Sequence, residues 1–516
     1  MGNPLKFLSL LVLSFLPIAC ASLPKNVKRT PSYTFPADPT TTISKNIKAK
    51  LAQHNGDSGF NALFNGEDAF VSRMAGMRTA ERSLDLQYYI WNNDLTGTIL
   101  VDEVLKAADR EVRVRILLDD LNLGKHEKML RLISMHPNVE VRMVNPFAHR
   151  SMRFMDIFRL GKIDRRMHNK VFIADNEIAI VGGRNIGDEY FWASNEMNFG
   201  DLDMWCIGPV VSGLASEFDI YWNAEISYPI ESLTSNIKPT ELDYLTFREN
   251  LKGNTYQAYQ ALYIQRLYQS NMGKAYAAAD VQLQWAPAQV IYDPPEKFDQ
   301  KPHEQTNNLQ SQVRPYMRES KRELFMISPY FVPGDNGVNY LNKKVADGTS
   351  VTVLTNSLAS GDVAAAFSGY KGYRKDLVKG GVSLYELKPH DHENLRKRKR
   401  SIGSSSSHAG LHGKTLVFDR RTILVGSMNL DPRSVFLNSE MGVIIDSTEM
   451  AEKFVTQFQE NLPEIAYQLG LNEKNKLTWT TLEDGQKKTF TSEPETTWWQ
   501  RVKASFLSWI VPESQL

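Results

Sequence analysis

One pattern of eight residues occurs twice in this chain of 516 residues. Residues 168–175 read His-x-Lys-x-x-x-x-Asp, and residues 412–419 repeat the pattern. A glycine and an asparagine follow at equal distances in the two copies, as Gly182 with Asn185 and as Gly426 with Asn429. Repetition at this many matched positions is typical of an internal duplication. The chain is therefore predicted to form two similar lobes, each carrying one copy of the pattern.

The apolar pattern around the two copies indicates an α/β protein. Strand-like runs alternate with helix-like stretches in the first half of the chain, and the same order returns in the second half. The strands that correspond between the halves are 83–91 and 324–330, 112–119 and 351–356, and 139–144 and 382–387. Such alternation produces βαβ units. We expect two similar α-β-α sandwich lobes with mixed, largely parallel sheets, related by a pseudo-two-fold axis.

Changes in composition and the positions of turn-forming residues divide the chain into six segments. Residues 22–55 are rich in Pro, Thr, Ser and Lys, which favours a tether without a packed core. The predicted segments are a signal peptide over 1–21, this tether over 22–55, a first lobe over 56–235, a helical insert over 236–280, a second lobe over 281–470 and a C-terminal tail over 471–516.

The first residues have the composition of an export signal. Lys6 precedes the apolar run 7–16, which is too short for a comfortable transmembrane helix. Small residues before Cys20 favour a bacterial lipoprotein signal with Cys20 as the lipidated residue, although Pro17 stands where Leu is usual. Cleavage at Ala19-Cys20-Ala21 without lipidation is the alternative. We expect export across the inner membrane, to a periplasmic or outer-membrane site, whereas an uncleaved signal would leave an inner-membrane anchor.

Charge and cysteine content exclude two classes of protein. The formal net charge is +1, so no overall basic field attracts nucleic acid, and nucleic acid is not an expected partner. The only cysteines, Cys20 and Cys206, do not suffice for a disulfide framework. Cys206 lies in an apolar strand and is expected to be a buried small residue.

Three segments have features of regions that contact a membrane surface, and each of them also has a second interpretation. Residues 145–166 and 388–411 precede the two motif histidines and are basic, the latter containing the run 396–400. They either contact anionic phospholipid or are solvated loops. A short amphipathic helix in the tail either lies at a membrane interface or docks onto the protein, its apolar face being formed by Trp498, Val502, Phe506, Trp509 and Ile510.

At both copies of the pattern the chain resembles the phospholipase D superfamily, whose signature is a duplicated HKD motif. Within it the chain is similar to bacterial cardiolipin synthases and related phosphatidyltransferases, over 85–91, 182–188, 207–209 and 438–442. The resemblance extends over roughly residues 60–450. It implies that His168 is the nucleophile and His412 the acid and base, although the symmetry of the motifs leaves these roles open.

The chemistry of a phosphodiester accounts for the residue types. The diester is an anion, so its attack needs charge neutralisation and a nucleophile that can leave again. Two histidines suit this because their unperturbed pKa is about 6.5. One, neutral, attacks phosphorus and forms a phosphohistidine, and the other, protonated, gives its proton to the leaving alcohol. The lysines neutralise the phosphate oxygens, so no metal or other cofactor is expected.

These roles define the candidate site. The catalytic motif residues are His168, Lys170, Asp175, His412, Lys414 and Asp419. Within this set the two aspartates are expected to be structural and to cap the turn that follows each motif strand. Asn185 and Asn429 would donate hydrogen bonds to the phosphate oxygens, and the glycines at 182 and 183 would let the backbone approach a ligand. The resemblance implies that Asp201 and Glu440 hold the histidine rings in orientation.

Four functions remain open. The leading hypothesis is phosphatidyl transfer, in which a phospholipid donates its phosphatidyl group to phosphatidylglycerol and cardiolipin forms. The alternative is phospholipase D hydrolysis to phosphatidic acid. A nuclease or phosphodiesterase, and a non-catalytic lipid-binding lipoprotein, are weaker hypotheses. The expected partners are phospholipid substrates and a membrane surface. One chain supplies both half-sites, so a monomer would suffice, with an accessory protein as a further possibility.

Overall fold

The computed structural model describes residues 22–54, 56–150, 152–159, 161–259, 262–301, 304–361, 364–389, 408–510 and 512. The predicted signal peptide, its lipidation site Cys20 and the basic run 396–400 lie outside the described residues. The strands are β1 (Ser58–Leu63), β2 (Ser83–Tyr88), β3 (Arg113–Asp119), β4 (Val139–Val144), β5 (Val171–Ala174), β6 (Ile178–Gly182), β7 (Met197–Gly200), β8 (Asp203–Ile207), β9 (Ser227–Pro229), β10 (Gln284–Ala286), β11 (Ala288–Tyr292), β12 (Glu323–Ile327), β13 (Ser350–Asn356), β14 (Ser383–Leu387), β15 (His408–Leu411), β16 (Thr415–Phe418), β17 (Thr422–Gly426), β18 (Met441–Asp446), β19 (Ala466–Leu471), β20 (Leu477–Glu483) and β21 (Gln486–Phe490).

The helices are α1 (Thr42–Gln53), α2 (Gly66–Thr79), α3 (Leu95–Asp109), α4 (Glu127–Ile133), α5 (Pro209–Asn223), α6 (Ile230–Leu233), α7 (Glu241–Tyr259), α8 (Leu262–Gln269), α9 (Asn271–Ala277), α10 (Leu309–Glu319), α11 (Gly334–Ala346), α12 (Ala364–Lys371), α13 (Arg374–Lys379), α14 (Pro432–Phe436), α15 (Thr448–Ile465) and α16 (Trp498–Ile510). Short 3-10 segments cover Arg153–Arg159 and Pro295–Phe298. Helices α7, α8 and α9 form the insert between the lobes.

Two large sheets form the two lobes. Their strand orders are β10-β1-β8-β6-β5-β2-β3-β4-β9 and β11-β18-β17-β16-β12-β13-β14-β19-β20-β21. From β1 to β9 and from β11 to β19 the strands correspond one to one, so the predicted pair of similar α/β lobes is confirmed. The expectation of largely parallel sheets is wrong, because parallel pairing among the described strands of these sheets is confined to β2-β3-β4 and β12-β13-β14.

The antiparallel pairs arise from tight turns after the motif strands. Strand β5 pairs antiparallel with β6, and β16 with β17. Asp175 and Asn176 join the first pair with φ of 52° and 55°, and Asp419 and Arg420 join the second with φ of 54° and 52°. Two consecutive residues of positive φ are typical of a type I′ hairpin, which favours Asp and Asn. Each motif aspartate is thus a turn residue.

The two lobes share one core. Side chains from the inner faces of both sheets, such as Val171 and Val417, pack in a single cluster with residues of α5 and α15, such as Trp222 and Phe454. Two further clusters fill the outer faces of the sheets. Each sheet therefore carries helices on both faces. The motifs lie where the two lobes meet.

The segment 22–55 is not the tether that we expected. Ile43 and Ile47 of α1 are buried in the core of the first lobe. The extended residues before α1 are held by hydrogen bonds, with the carbonyl O of Ser32 accepting from Nη1 of Arg115 at 2.8 Å and the amide N of Thr34 donating to Asp219 at 2.8 Å. This polar segment is held in place because the buried Arg115 and the half-buried Asp219 satisfy hydrogen bonds of its backbone.

Two predicted boundaries also shift. Strand β10 belongs to the first sheet and β11 to the second, so the chain crosses between lobes at Pro287 and not at residue 281. Strands β20 and β21 extend the second sheet, so the lobe continues past residue 470 and only the end of the predicted tail is a separate helix. Within the described part of the chain, no helix is both long enough and apolar enough to span a membrane.

Candidate active site

The backbone of each motif histidine is hydrogen-bonded to the opposite lobe. The amide N of His168 donates to the carbonyl O of Ser439 at 2.9 Å, beside a parallel bridge between Met167 and Ser439. In the other half, β15 pairs in parallel with β7, and the amide N of His412 donates to the carbonyl O of Gly200 at 2.8 Å. The structure thus brings the two motifs together at the interface of the lobes.

Each motif histidine is oriented by a carboxylate from the opposite lobe. Nδ1 of His168 lies 2.8 Å from Oε2 of Glu440, and Nδ1 of His412 lies 2.6 Å from Oδ2 of Asp201. A carboxylate at Nδ1 holds the proton there and leaves Nε2 as the nucleophilic nitrogen. Among the described residues, none hydrogen-bonds with Nε2 of either ring. Each half-site is therefore completed by the opposite lobe, with Nε2 left for a substrate.

The residues that follow each motif lie against the carboxylates that orient the histidines. A Cβ on Gly183 would lie 2.3 Å from Oδ1 of Asp201. We expected this glycine and Gly182 to admit a ligand, but the close neighbour is the carboxylate that orients His412. In the second lobe Ser427 stands in the place of Gly183, and its Oγ donates to Oε2 of Glu440 at 2.5 Å. The two half-sites are similar but not identical.

The motif lysines lie beside the histidines. Nζ of Lys170 donates to the carbonyl O of His168 at 2.6 Å. Nζ of Lys414 donates to the carbonyl O of His412 and lies 3.0 Å from its Nδ1. Burial lowers the pKa of Lys170 well below its usual range, against the charge of Glu440, which raises it. A phosphate anion bound here would favour the charged ammonium.

The motif aspartates belong to the scaffold. The carboxylate of Asp175 accepts from the amide N of Glu81, Arg82 and Ser83 at 2.8 to 2.9 Å. In the second lobe the carboxylate of Asp419 accepts from the amide N of the matching residues Lys321, Arg322 and Glu323. Each aspartate therefore ties its own turn to the start of the neighbouring strand. Neither makes a hydrogen bond to a motif histidine or lysine among the described contacts, which agrees with the structural role that we expected for both aspartates.

The two asparagines differ in their surroundings. Oδ1 of Asn185 accepts from the amide N of Ile90 at 3.1 Å, and its Nδ2 donates to Oη of Tyr190 at 3.0 Å. Asn429 is also buried, but its Oδ1 has no hydrogen-bond partner within the described residues. Asn185 thus supports the walls of the site. A direct contact with phosphate by either amide stays a prediction.

Burial favours the neutral form of both imidazoles. Burial lowers the pKa of His168 to about 4, although Glu440 raises it. Burial and the charge of Lys414 lower the pKa of His412 to about 3, although Asp201 raises it. The histidine expected to act as the acid must therefore gain a proton before it can act. A bound phosphate anion would raise both pKa values, so the proton of the acid is taken up with the substrate.

The same contacts keep the orienting carboxylates charged. Burial alone raises the pKa of Asp201, but the charge and the hydrogen bond of His412 outweigh it and lower the pKa of Asp201 below its usual range. His168 has the same effect on Glu440, whose pKa is lowered despite complete burial. Anionic carboxylates at Nδ1 stabilise the imidazolium that forms during the reaction.

Aromatic rings enclose the histidines, and the sequence pattern did not identify them. The ring of Tyr89 meets that of His168 edge-on at a centroid distance of 5.1 Å. The rings of Tyr190 and Phe199 lie 5.1 Å and 5.3 Å from that of His412. Tyr89 falls in one of the stretches that carry the family resemblance, which is the one signal that could have singled it out. These rings limit rotation of the imidazoles and exclude water.

A buried polar network behind His168 was also missed. Nδ2 of Asn169 donates to Oε1 of Glu217 at 2.7 Å, and Oγ of Ser439 donates to Oδ1 of Asn169 at 2.7 Å. Burial raises the pKa of Glu217 to about 8, while its hydrogen bonds to Asn169 and Gln87 lower it, so this carboxyl is protonated near neutral pH. The network links α5 to the residue beside Glu440. Its only signal in the sequence is a polar residue between the motif His and Lys.

The basic segment before His168 folds onto the first lobe. Arg150 and Arg153 both pair with Asp120. Arg166 is buried and pairs with Asp119 at 3.2 Å. These arginines are neutralised by carboxylates of the protein, so the interpretation as a loop over the lobe describes them and the lipid-contact interpretation does not.

The geometry defines a class of enzyme. Two His-Lys pairs converge from duplicated lobes, and each histidine is oriented by a carboxylate. Among the described residues, no group of three or more His, Cys, Asp and Glu side chains is placed to hold a metal ion. The two His-Lys pairs with their orienting carboxylates define a site of the phospholipase D type. The chain belongs to the family described as "Cardiolipin synthase, PLD-like domain", whose model matches residues 74–222 and 313–462, one copy in each lobe.

Known proteins agree with this assignment. The chain is 36% identical to cardiolipin synthase C of Escherichia coli (strain K12) over 458 residues, 89% of this chain and 96% of that protein. It is 25% identical to a cardiolipin synthase of Geobacillus sp. (strain WCH70) over 403 residues, 78% of this chain and 66% of that protein. Its fold is similar to that of phosphatidylserine synthase from Haemophilus influenzae Rd KW20, with a TM-score of 0.56 and 13% identity over 92% of this chain and 100% of that chain. The resemblance seen in the sequence is confirmed.

Proposed function

We propose that the protein is a phosphatidyltransferase that forms cardiolipin from phospholipids through a phosphohistidine intermediate. The observation that carries this proposal is the crossed pair of contacts, His168 with Glu440 and His412 with Asp201, which leaves one Nε2 from each lobe for the substrate. The relatives named cardiolipin synthase support the choice of substrate and product.

The reaction proceeds in two displacements. Nε2 of His168 bonds to phosphorus as the P–O bond to the headgroup alcohol breaks, and His412 gives the proton on its Nε2 to the departing oxygen. The acceptor hydroxyl then gives its proton to Nε2 of His412 while its oxygen attacks phosphorus, and the P–N bond to His168 breaks. Lys170 and Lys414 stabilise the charge on the phosphate oxygens throughout.

Burial of the site favours transfer over hydrolysis. His168 and His412 are 7% and 6% exposed, and aromatic rings cover their sides. The phosphohistidine would therefore meet an acceptor alcohol that is bound in the site more readily than bulk water. This supports phosphatidylglycerol, or another lipid alcohol, as the acceptor.

The cellular setting is part of the proposal. The basic and apolar N-terminus supports export across the inner membrane and lipidation at Cys20. Reciprocal contacts between the lobes of one chain support a monomer as the catalytic unit. Because both half-sites are already complete, an accessory protein would supply the donor or acceptor lipid and would not complete the site.

Lipid product analysis tests the proposed function. Full-length protein would be incubated with vesicles of phosphatidylethanolamine and phosphatidylglycerol, and products followed by mass spectrometry. Cardiolipin should form with the wild type and fall to background in His168→Ala and His412→Ala. His136→Ala is the matched control, because His136 is also buried but pairs with Asp109 away from the site. Phosphatidic acid as the sole product would indicate a hydrolase, and cleavage of a nucleotide diester alone would indicate a nuclease or phosphodiesterase.

A further inference from the structure

The C-terminal helix α16 is docked on the protein by the face opposite its aromatic side chains. It packs against α12, and Ala504 is buried in the core of the second lobe. Trp498, Trp499, Val502 and Phe506 are instead 59%, 72%, 38% and 64% exposed. At about 100° per residue these four lie within one arc of about 100°, and Ala504 projects from the other side. Both sequence-based interpretations of this helix are thus compatible, because docking uses a different face from the aromatic one.

The exposed face has the composition of an interfacial helix. The rings of Trp498 and Trp499 contact each other edge-on at 4.6 Å, so they form one continuous apolar surface. The sequence of α16 contains Arg501 and Lys503 but no acidic residue. Tryptophan beside basic residues is typical of helices that lie at the surface of an anionic bilayer. The charge on α16 therefore favours anionic lipid over a neutral surface.

Two polar contacts show where α16 lies on the second lobe. Glu493, just before α16, pairs with Arg374, just after α12, at 3.0 Å. Further along, Oγ of Ser505 accepts from Nζ of Lys371 in α12 at 2.7 Å. These contacts hold the segment before α16 and the middle of α16 at the C-terminal end of α12.

Strand β13, which precedes α12 in the chain, contacts the second half-site. Its last residue, Asn356, donates from Nδ2 to the carbonyl O of Leu411 at 2.9 Å. Leu411 directly precedes His412. Helix α16 therefore packs on the lobe that carries His412.

We propose that the exposed face of α16 docks the protein onto an anionic phospholipid bilayer. This inference rests on the proposed function, because the substrate would then lie in the same bilayer. The occupant of the face is the bilayer surface and not a second copy of the chain.

Local contact with lipid is the first test. A polarity-sensitive fluorophore would be attached at Val502→Cys on α16 and, as a matched control, at Leu245→Cys on α7, where Leu245 is also exposed. Vesicles of phosphatidylglycerol and phosphatidylethanolamine carrying a lipid-bound quencher are then added. We expect quenching at position 502 and none at 245. Equal quenching at both positions, or none at 502, would overturn the proposal.

Activity supplies the second test. Trp499→Ser combined with Phe506→Ser should lower vesicle binding and the rate on vesicles by about tenfold or more, because two large apolar side chains no longer leave water. The rate on a monomeric short-chain phospholipid should be unchanged. The control is Leu242→Ser combined with Tyr256→Ser on α7, two residues of similar exposure.

The two tests separate the inference from the function on which it rests. A wild type that converts no phospholipid in either form would refute the proposed function. A wild type that is active while the α16 variant binds and converts vesicles equally well would refute the docking face alone. Loss of a dimer in the α16 variant, measured by ultracentrifugation, with vesicle binding unchanged, would assign the face to self-association instead.

Discussion

Replacing Asp175 with alanine separates a structural aspartate from a catalytic one. Its buried carboxylate accepts from three backbone amides, and its backbone has a φ of 52°. Alanine would leave the three amides without an acceptor, at about 1 kcal/mol each, and is less suited to the left-handed region by up to about 1 kcal/mol. We therefore expect the free energy of unfolding to fall by about 3 to 4 kcal/mol.

The same substitution at Asp419 should cost about half as much. Two of the amides that Asp419 holds, those of Lys321 and Arg322, are exposed, so water can replace its carboxylate. Asp419→Ala is thus an internal comparison for the magnitude. Urea unfolding of both variants and the wild type measures the two losses in free energy.

Activity per folded molecule decides between the two roles of Asp175. At a temperature where Asp175→Ala remains folded, kcat on vesicles should stay within about tenfold of the wild type, because the carboxylate contacts neither histidine. A variant that unfolds like the wild type but has lost activity would refute the structural assignment. Far-ultraviolet circular dichroism confirms the folded fraction used in the assay.

Three further predictions follow from the charges in the site. Glu440→Gln and Asp201→Asn should each lower kcat by about 100-fold to 10,000-fold with little loss of stability, since each removes the anion at Nδ1; steady-state kinetics showing no loss would contradict the orienting role. The value of kcat/KM on a soluble substrate should increase as pH falls from 8 toward 5, because burial lowers the pKa of both His168 and His412 below 6.5 and the acid must take up a proton; an increase with rising pH would refute this. Burial raises the pKa of Glu217 in the folded protein to about 8, so the stability that Glu217 contributes is fully present below its unfolded pKa and is lost as pH rises toward 8. In Glu217→Gln the melting temperature should therefore fall less between these pH values than in the wild type. An unchanged pH dependence of thermal unfolding would contradict a protonated Glu217.

The sequence predicted the reacting groups because they recur at fixed spacing. Each motif repeats the same His-Lys pair, and the turn at Asp175 follows from the same spacing. Which carboxylate serves which histidine could not be read from spacing, since Asp201 and Glu440 each cross to the other lobe. Pairing between lobes depends on how they pack, and no local pattern encodes it.

Predictions from average composition were wrong where a few individual residues determine the packing. The segment 22–55 is polar on average, but Ile43 and Ile47 are four residues apart and place one apolar stripe on α1. The sheets were expected to be largely parallel because strands alternate with helices, yet the hairpins at the motifs make their neighbours antiparallel. The buried Glu217 gave no signal, because nothing in the sequence around it distinguishes it from a surface glutamate.

Trapping of the covalent intermediate tests the account most directly. Full-length His412→Asn would be mixed with a phosphatidyl donor that carries a p-nitrophenol leaving group, which departs without a proton from His412. No acceptor would be added, and the reaction would be quenched in denaturant at mildly alkaline pH to preserve phosphohistidine, digested and analysed by mass spectrometry. We expect a phosphatidyl group on the peptide that contains His168, and none in His168→Asn. A modified His412 in the His168→Asn variant would exchange the two roles. Turnover by the wild type with no phosphorus bonded to either histidine in any variant would contradict the central claim.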